Sequence, residues 1–417
     1  MADKRIYLCL AHMSEAGLEQ KYIKEAFDTN WVVPLGPNVN GFEADLKAFV
    51  GQDKEVVALS SGTSAVHLAL IACGVKPGDE VIVQSFTFCA SSHPITYLGA
   101  TPVFVDSEKD TWNMDPELME ETIKDRIAKT GKKPKAIVPV ALYGMPYQID
   151  RIMEIANKYE IPVIEDAAEG FGSRYNGQVL GTFGKYGVLS FNGNKMITTS
   201  GGGALITPDK DSWREIMMYA TQYRESYPYY QHEKIGFNYR MSNICAGIGR
   251  GQMTVVNDHI AHHKHVQALY EELLAGVVGV HVHAQPTTGE YDSNYWLCTI
   301  TIDPDVKVKG QENAYKEIVT GAVGGAAGVI HAASSATTDC QPNNNVEAMR
   351  VALDKANIEA RPVWKPMHKQ PCYKDAPAYV NGVSEAIFKV GMCLPAGPYV
   401  SDEDVEFIVD TIKENIG

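Results

Sequence analysis

Lys195 is the residue whose surroundings could do chemistry. An apolar run at 188–191 breaks into an Asn-Gly-Asn turn that delivers this lysine, and Thr198-Thr-Ser-Gly-Gly-Gly203 follows before another apolar run. Glycines there permit close backbone approach or positive φ. A lysine between two buried strands is unusual, because unpaired lysines are seldom buried. It could be an ordinary solvated turn residue. If it is desolvated, it loses its proton readily and can attack a carbonyl carbon.

Three further groups would complete such a site. Ser60-Ser-Gly-Thr-Ser-Ala65 follows a strand candidate and opens a helix, with Gly62, Thr63 and Ser64 at the turn. Unpaired N–H groups and the helix dipole make that a ready anion site, although the same residues could simply cap a helix. Phe86 and Phe88 follow a second strand, where one could stack on a planar ring or simply fill the core. Asp166 ends the run 162–166, and at a strand's C-terminal end it could pair with a protonated ring nitrogen. It could equally cap the next helix, while Glu165 points to the opposite face. A lysine, a phosphate cradle, a ring platform and a carboxylate are the parts that pyridoxal phosphate (PLP) requires.

Those parts need a sheet to hold them. Seven apolar runs, at 56–59, 80–84, 102–105, 136–141, 162–165, 188–191 and 204–207, read as strands covered on both faces. Helical patterns fall between several of them, at 64–74, 89–98, 115–130 and 148–159. This alternation predicts a doubly wound α/β domain. Upstream, 15–30 and 42–50 read as amphipathic helices, separated by a Pro/Gly-rich loop at 31–40. The large domain is expected over 1–252. A connecting helix at 253–274 leads into a smaller α+β domain over 253–417, with a strand at 294–302 and helices at 346–357 and 402–415. Residues 306–345, rich in Gly, Ala, Ser, Thr and Asn, read as a surface insertion or a substrate lid.

Composition narrows the partners. The 417 residues carry a net charge of −14, which argues against nucleic acid or an anionic membrane as partner. Eight scattered cysteines show no metal-ligand spacing and read as reduced thiols of a cytoplasmic protein, so no metal is expected. No apolar run is long enough to span a bilayer. Gly247-Ile-Gly-Arg-Gly251 has the wrong spacing for a dinucleotide fingerprint, and no Walker A lysine, HExxH or nucleophile elbow is present.

The segments beginning Ser61-Gly-Thr-Ser, Ser85-Phe-Thr-Phe, Glu165-Asp-Ala-Ala-Glu, Ser190-Phe-Asn-Gly-Asn-Lys, Gly236-Phe-Asn-Tyr-Arg and Arg361-Pro-Val-Trp-Lys-Pro-Met-His together resemble the DegT/DnrJ/StrS-type nucleotide-sugar aminotransferases. The resemblance runs over nearly the whole chain in the family's order. It implies the aspartate-aminotransferase (type I PLP) fold with a mostly parallel, seven-stranded sheet. Lys195 would be the Schiff-base lysine and proton shuttle, Asp166 the partner of the pyridine nitrogen, and Phe88 the ring platform. Thr63, Ser64 and Ser190 would hold the phosphate, and Glu169 would lie by the ring hydroxyl. Asn238 would reach the neighbouring subunit's phosphate in an obligatory homodimer, while Trp31 and His368 would lie near the nucleotide sugar.

Dehydratases of this family carry histidine at the lysine position, so Lys195 favours amino transfer. The expected reaction moves the amino group of L-glutamate to C4 of a nucleotide-linked 4-keto-6-deoxy sugar. The Thr198–Gly203 segment leans towards a UDP-linked N-acetylhexosamine over the GDP-perosamine type. A PLP-binding regulator without turnover, or a PLP enzyme of other chemistry such as an amino-acid lyase, are the other readings. Arg250 stands where an apolar helix residue is expected.

Overall fold

The computed structural model describes residues 4–51, 53–315 and 340–417. Seven strands form the large sheet: β1 (Glu55–Leu59), β2 (Glu80–Gln84), β3 (Thr101–Val105), β4 (Ile137–Val138), β5 (Ile164–Asp166), β6 (Tyr186–Ser190) and β7 (Gly203–Thr207). Two four-stranded ladders run β1-β7-β6-β5 and β4-β2-β3 plus Ala378–Tyr379. The parallel bridges Ile137↔Val163 and Val140↔Asp166 join them at β4 and β5. β7 alone among the seven runs antiparallel, to both β1 and β6. The eighth strand, Ala378–Tyr379, was not expected; it pairs parallel to β3 and closes that edge.

Apolar side chains cover both faces of the sheet, as the unbroken hydrophobic runs require. β1, β5 and β6 end at one edge, and β7 begins there. Register places Gly203 opposite both Leu59 and Ser190. Just past β6, Phe191 is fully buried and meets Phe42 and Phe171 edge-on, with ring centroids 5.2 and 5.7 Å away. Such pairs add about 0.5–1.5 kcal/mol beyond burial, and they fix the start of the lysine turn.

Several expected elements differ in extent. The loop at 31–40 ends early, because Pro37 starts helix Pro37–Val50, where a proline's missing N–H costs nothing. The helix at 89–98 is instead a 3-10 turn, Cys89–Ser91, and a short helix, His93–Tyr97. Pro94 lies in the first turn of that helix and cannot continue the preceding one. The strand at 136–141 shrinks to Ile137–Val138, and that at 294–302 to Cys298–Ile302.

Arg250 is accounted for. Its guanidinium lies 4.2 Å over the Tyr22 ring, Nη1 donates to Asn38 Oδ1 at 3.3 Å, and Nε sits 3.7 Å from Asp45. Gly41 makes the slot: a Cβ there would lie 2.5 Å from Arg250 Nε.

The C-terminal part has its own core. Antiparallel strands in the order Val280–Val282, Cys298–Ile302, Gly391–Leu394, Arg361–Pro362 pack with helices Val256–Leu273, Asn344–Lys355 and Asp402–Asn415. The N-terminal lead-in joins this core: the Ile6 N–H donates to Asn357 O, and the Glu359 N–H to Ile6 O. Of the insertion expected at 306–345, residues 316–339 lie outside the described residues. At its described ends, Val308 bridges Ile416 and the Tyr315 hydroxyl donates to Pro342 O.

Candidate active site

The carboxyl edge of the sheet opens into a cavity of about 220 Å³. Each wall follows from a local rule. Leu59 ends β1, and Ser61 caps helix Gly62–Ala72 by accepting the Ser64 N–H at 3.0 Å. The cap leaves the N–H groups of Gly62 and Thr63 without an intrahelical partner, and both residues line the cavity. Gly203 lets β7 pass under this turn, since a Cβ there would come within 2.4 Å of Ser61 C and Gly62 N. Those are backbone atoms and cannot step aside. Gly203→Ala is therefore expected to push the turn outward and weaken PLP retention at least tenfold, read by equilibrium dialysis. It should also cost about 1–3 kcal/mol of stability, and unchanged PLP retention would refute the close-packing account.

Asp166 ends β5 and is 4% exposed. Ser91 Oγ donates to its Oδ2 at 2.6 Å, and the Ala168 N–H to its Oδ1 at 3.1 Å. Burial raises its pKa; those hydrogen bonds and the Lys195 charge pull the other way. Glu165 faces the other side, where its carboxylate accepts the N–H groups of Gly181, Phe183 and Gly184.

Lys195 reaches into the same cavity with its side chain 13% exposed. Its Nζ lies 3.6 Å from Glu169 Oε1 and 4.0 Å from the centroid of the Trp296 ring. Glu169 Oε2 accepts the Tyr143 N–H at 2.7 Å, and burial raises this carboxyl against the pull of Lys195. Three contacts hold the lysine turn. Trp296 Nε1 donates to Asn194 O at 2.6 Å, His259 Nδ1 to Met196 O at 3.1 Å, and the Thr198 N–H to Gln252 Oε1 at 3.4 Å. Burial pushes the nearby Cys9 thiol up to about 12, so it stays a thiol and does not compete as a nucleophile.

Of the expected site residues, Gly62, Thr63, Phe88, Asp166, Glu169, Ser190 and Lys195 line this one cavity. Ser64 is buried behind it, hydrogen-bonded to Ser60 and Ser61. Asn238, Trp31 and His368 do not line it. Trp31 is exposed, and its carbonyl accepts from Asn243 Nδ2. His368 is tied to Ser85 Oγ at 2.6 Å and Glu385 Oε1 at 3.2 Å.

Sequence reasoning did not single out Ser91, Trp296 or Tyr143, and it gave Trp364 no role. Trp364 tilts against Phe88 with ring centroids 5.3 Å apart, and its N–H donates to the Tyr143 hydroxyl at 2.7 Å. Tyr143 takes φ +53°, a conformation rare for a non-glycine residue, and from it directs its N–H to Glu169. Three aromatic side chains distributed over the chain carry no periodic signal. The local hint was Asn294-Tyr-Trp296, read only as the beginning of a strand.

The residues fit PLP on three observations. Among the described residues, the N–H groups of Gly62 and Thr63 have no hydrogen-bond partner at the helix start above Gly203, the buried Asp166 carboxylate makes no salt bridge, and the nearly buried Lys195 amine lines the same cavity. A doubly wound sheet with this set defines a PLP-dependent aminotransferase of the type I fold. The chain belongs to the DegT/DnrJ/EryC1/StrS aminotransferase family, which it matches over residues 14–413. It is 40% identical over 98% of its length, and 95% of the relative's, to EpsN of Bacillus subtilis (strain 168), provisionally named a pyridoxal phosphate-dependent aminotransferase. It is 33% identical to the GDP-perosamine synthase of Escherichia coli O157:H7, over 98% of each chain. A DegT DnrJ EryC1 StrS aminotransferase from Brucella abortus, solved as a crystal structure, superposes with a TM-score of 0.80 at 26% identity. That match covers 96% of this chain and 95% of the other.

Proposed function

We propose that the protein moves the amino group of L-glutamate to C4 of a nucleotide-linked 4-keto-6-deoxy sugar, with UDP as the nucleotide. The observation that carries this reading is Lys195 itself: an amine, not an imidazole, in one cavity with Asp166. Bound PLP supplies an electrophilic carbon and an electron sink. Gly62, Thr63 and Ser190 take its phosphate, and Ser64 shapes their turn. Asp166 would pair with the ring nitrogen, Phe88 would stack on the ring, and Glu169 would lie by the ring hydroxyl. Lys195 Nζ would anchor the cofactor and would carry the proton delivered to sugar C4.

The reading includes a homodimer in which Asn238 serves the neighbour's phosphate site, and Trp31 and His368 lie nearer the nucleotide. Exposed Trp31, Val32, Val33 and Leu35 support such an interface. The reading also includes a cytoplasmic protein serving synthesis of surface polysaccharide or glycan. Among the described residues no helix is long and apolar enough to cross a membrane. The UDP preference rests on the Thr198–Gly203 segment. A GDP-linked sugar is the second reading, favoured by the likeness to a GDP-perosamine synthase.

The deciding experiment incubates the PLP-loaded protein with L-glutamate and, separately, UDP- and GDP-linked 4-keto-6-deoxy sugars. Mass spectrometry then follows the amino-sugar product. A product from the UDP sugar alone supports the full reading, and one from the GDP sugar alone moves the substrate to the second. A protein that takes up PLP but aminates no sugar overturns the function and favours the regulator.

A further inference from the structure

A second cavity, about 650 Å³, adjoins the first and shares Asn192, Asn194, Trp296 and Trp364 with it. Among the described residues lining it, Arg361 is the one cationic side chain. Arg361 sits in the short strand Arg361–Pro362, held in register against Met392 and Cys393. Its Nε and Nη2 both donate to Glu359 Oε1, at 3.0 and 2.6 Å. Glu359 is 9% exposed, and its other oxygen accepts the Leu8 N–H at 3.2 Å. The guanidinium is thus fixed from one side. Its Nη1 makes no hydrogen bond to the described residues, and 39% of the side chain is exposed.

One reacting centre must serve two unlike molecules in turn. The amino donor is an anion with carboxylates; the sugar ring that replaces it is neutral. A guanidinium fork suits a carboxylate because it offers paired, charge-assisted N–H donors. An uncompensated cation would lose part of its hydration, without gaining a partner, beside a neutral ring. The Glu359 partner removes that cost without occupying Nη1.

We propose that Arg361 is the recognition site for a carboxylate of the amino donor, and of the 2-oxo acid it becomes, with Glu359 balancing its charge while the sugar is bound. This rests on the amino-transfer reading above. No bond is made or broken at Arg361; it orients the donor and leaves the sugar's affinity to other residues.

The test compares Arg361→Met and Arg361→Lys with the wild type, all PLP-loaded. Calorimetry measures binding of glutarate, a dicarboxylate that cannot react. Absorbance follows the half-reaction with L-glutamate, and product formation gives the half-saturating sugar concentration. Loss of charge-assisted hydrogen bonds sets the scale: Arg361→Met weakens glutarate and glutamate about 30-fold, Arg361→Lys recovers part of that, and the sugar value stays within about twofold. Unchanged glutarate affinity, or an equal weakening of the sugar, overturns the proposal. A wild type that holds PLP yet gives no absorbance change with glutamate overturns the amino-transfer reading instead, so the two failures are distinguishable.

Discussion

Replacing Lys195 by alanine is expected to abolish turnover and the long-wavelength absorbance of the PLP-loaded protein together. Losing a positioned proton carrier costs roughly 10²–10⁴-fold, and losing the covalent anchor adds to it. The cavity explains why nothing replaces it. Glu169, 3.6 Å from Nζ, has no amine with which to anchor a carbonyl carbon, and Cys9 is held as a thiol. Lys195→Arg should fail equally, because a guanidinium neither attacks a carbonyl nor yields its proton here. Arginine preserves the charge beside Glu169 and Trp296, so that variant should fold. Half of wild-type turnover in either variant would remove Lys195 from the chemistry.

Replacing Asp166 by asparagine is expected to lower turnover by roughly 10²–10³-fold, the scale of one lost electrostatic contact at a reacting centre. The folded apoprotein should hold or gain stability. The sign follows from the carboxyl's raised pKa. A group that binds its proton more tightly when folded must be charged at a cost as pH rises past the ordinary carboxylate range. Asparagine removes that cost and can keep the contacts to Ser91 and the Ala168 N–H. At neutral pH, the apoprotein's melting temperature should hold or rise by about 2–4 °C, and the difference from wild type should vanish in acid. A marked fall in melting temperature would make Asp166 a structural residue, not a carboxylate kept for the cofactor.

Lys195, Asp166 and the Ser61–Thr63 turn were legible in the sequence because each sits where an apolar run stops, and buried strands announce themselves by composition. Their convergence was legible too, since parallel strands bring their carboxyl ends to one edge. The antiparallel placement of β7 was not, because an apolar five-residue run does not encode direction. Nor was the seat of Lys195. Trp296, Trp364 and Tyr143 come from three distant segments, and only tertiary packing brings them to the lysine. Ser64, whose type suits a phosphate, donates its N–H to the Ser61 cap and hydrogen-bonds neighbouring serines, contacts that its residue type alone does not announce. Arg250 broke the apolar pattern because a planar cation over Tyr22 fills the slot that Gly41 opens.

The strand Ala378–Tyr379 has a consequence for how the chain is made. It completes the β3 edge from more than 270 residues downstream, and Asp106 beside that edge accepts the N–H groups of Asn381, Gly382 and Ser384. During synthesis the first seven strands leave the ribosome long before this cover exists. At about 5–20 residues per second, the β3 edge stays open to other strands for roughly ten seconds or more. The nascent large sheet should therefore need a chaperone, or be kept from its neighbours, until the last tenth of the chain arrives to close it.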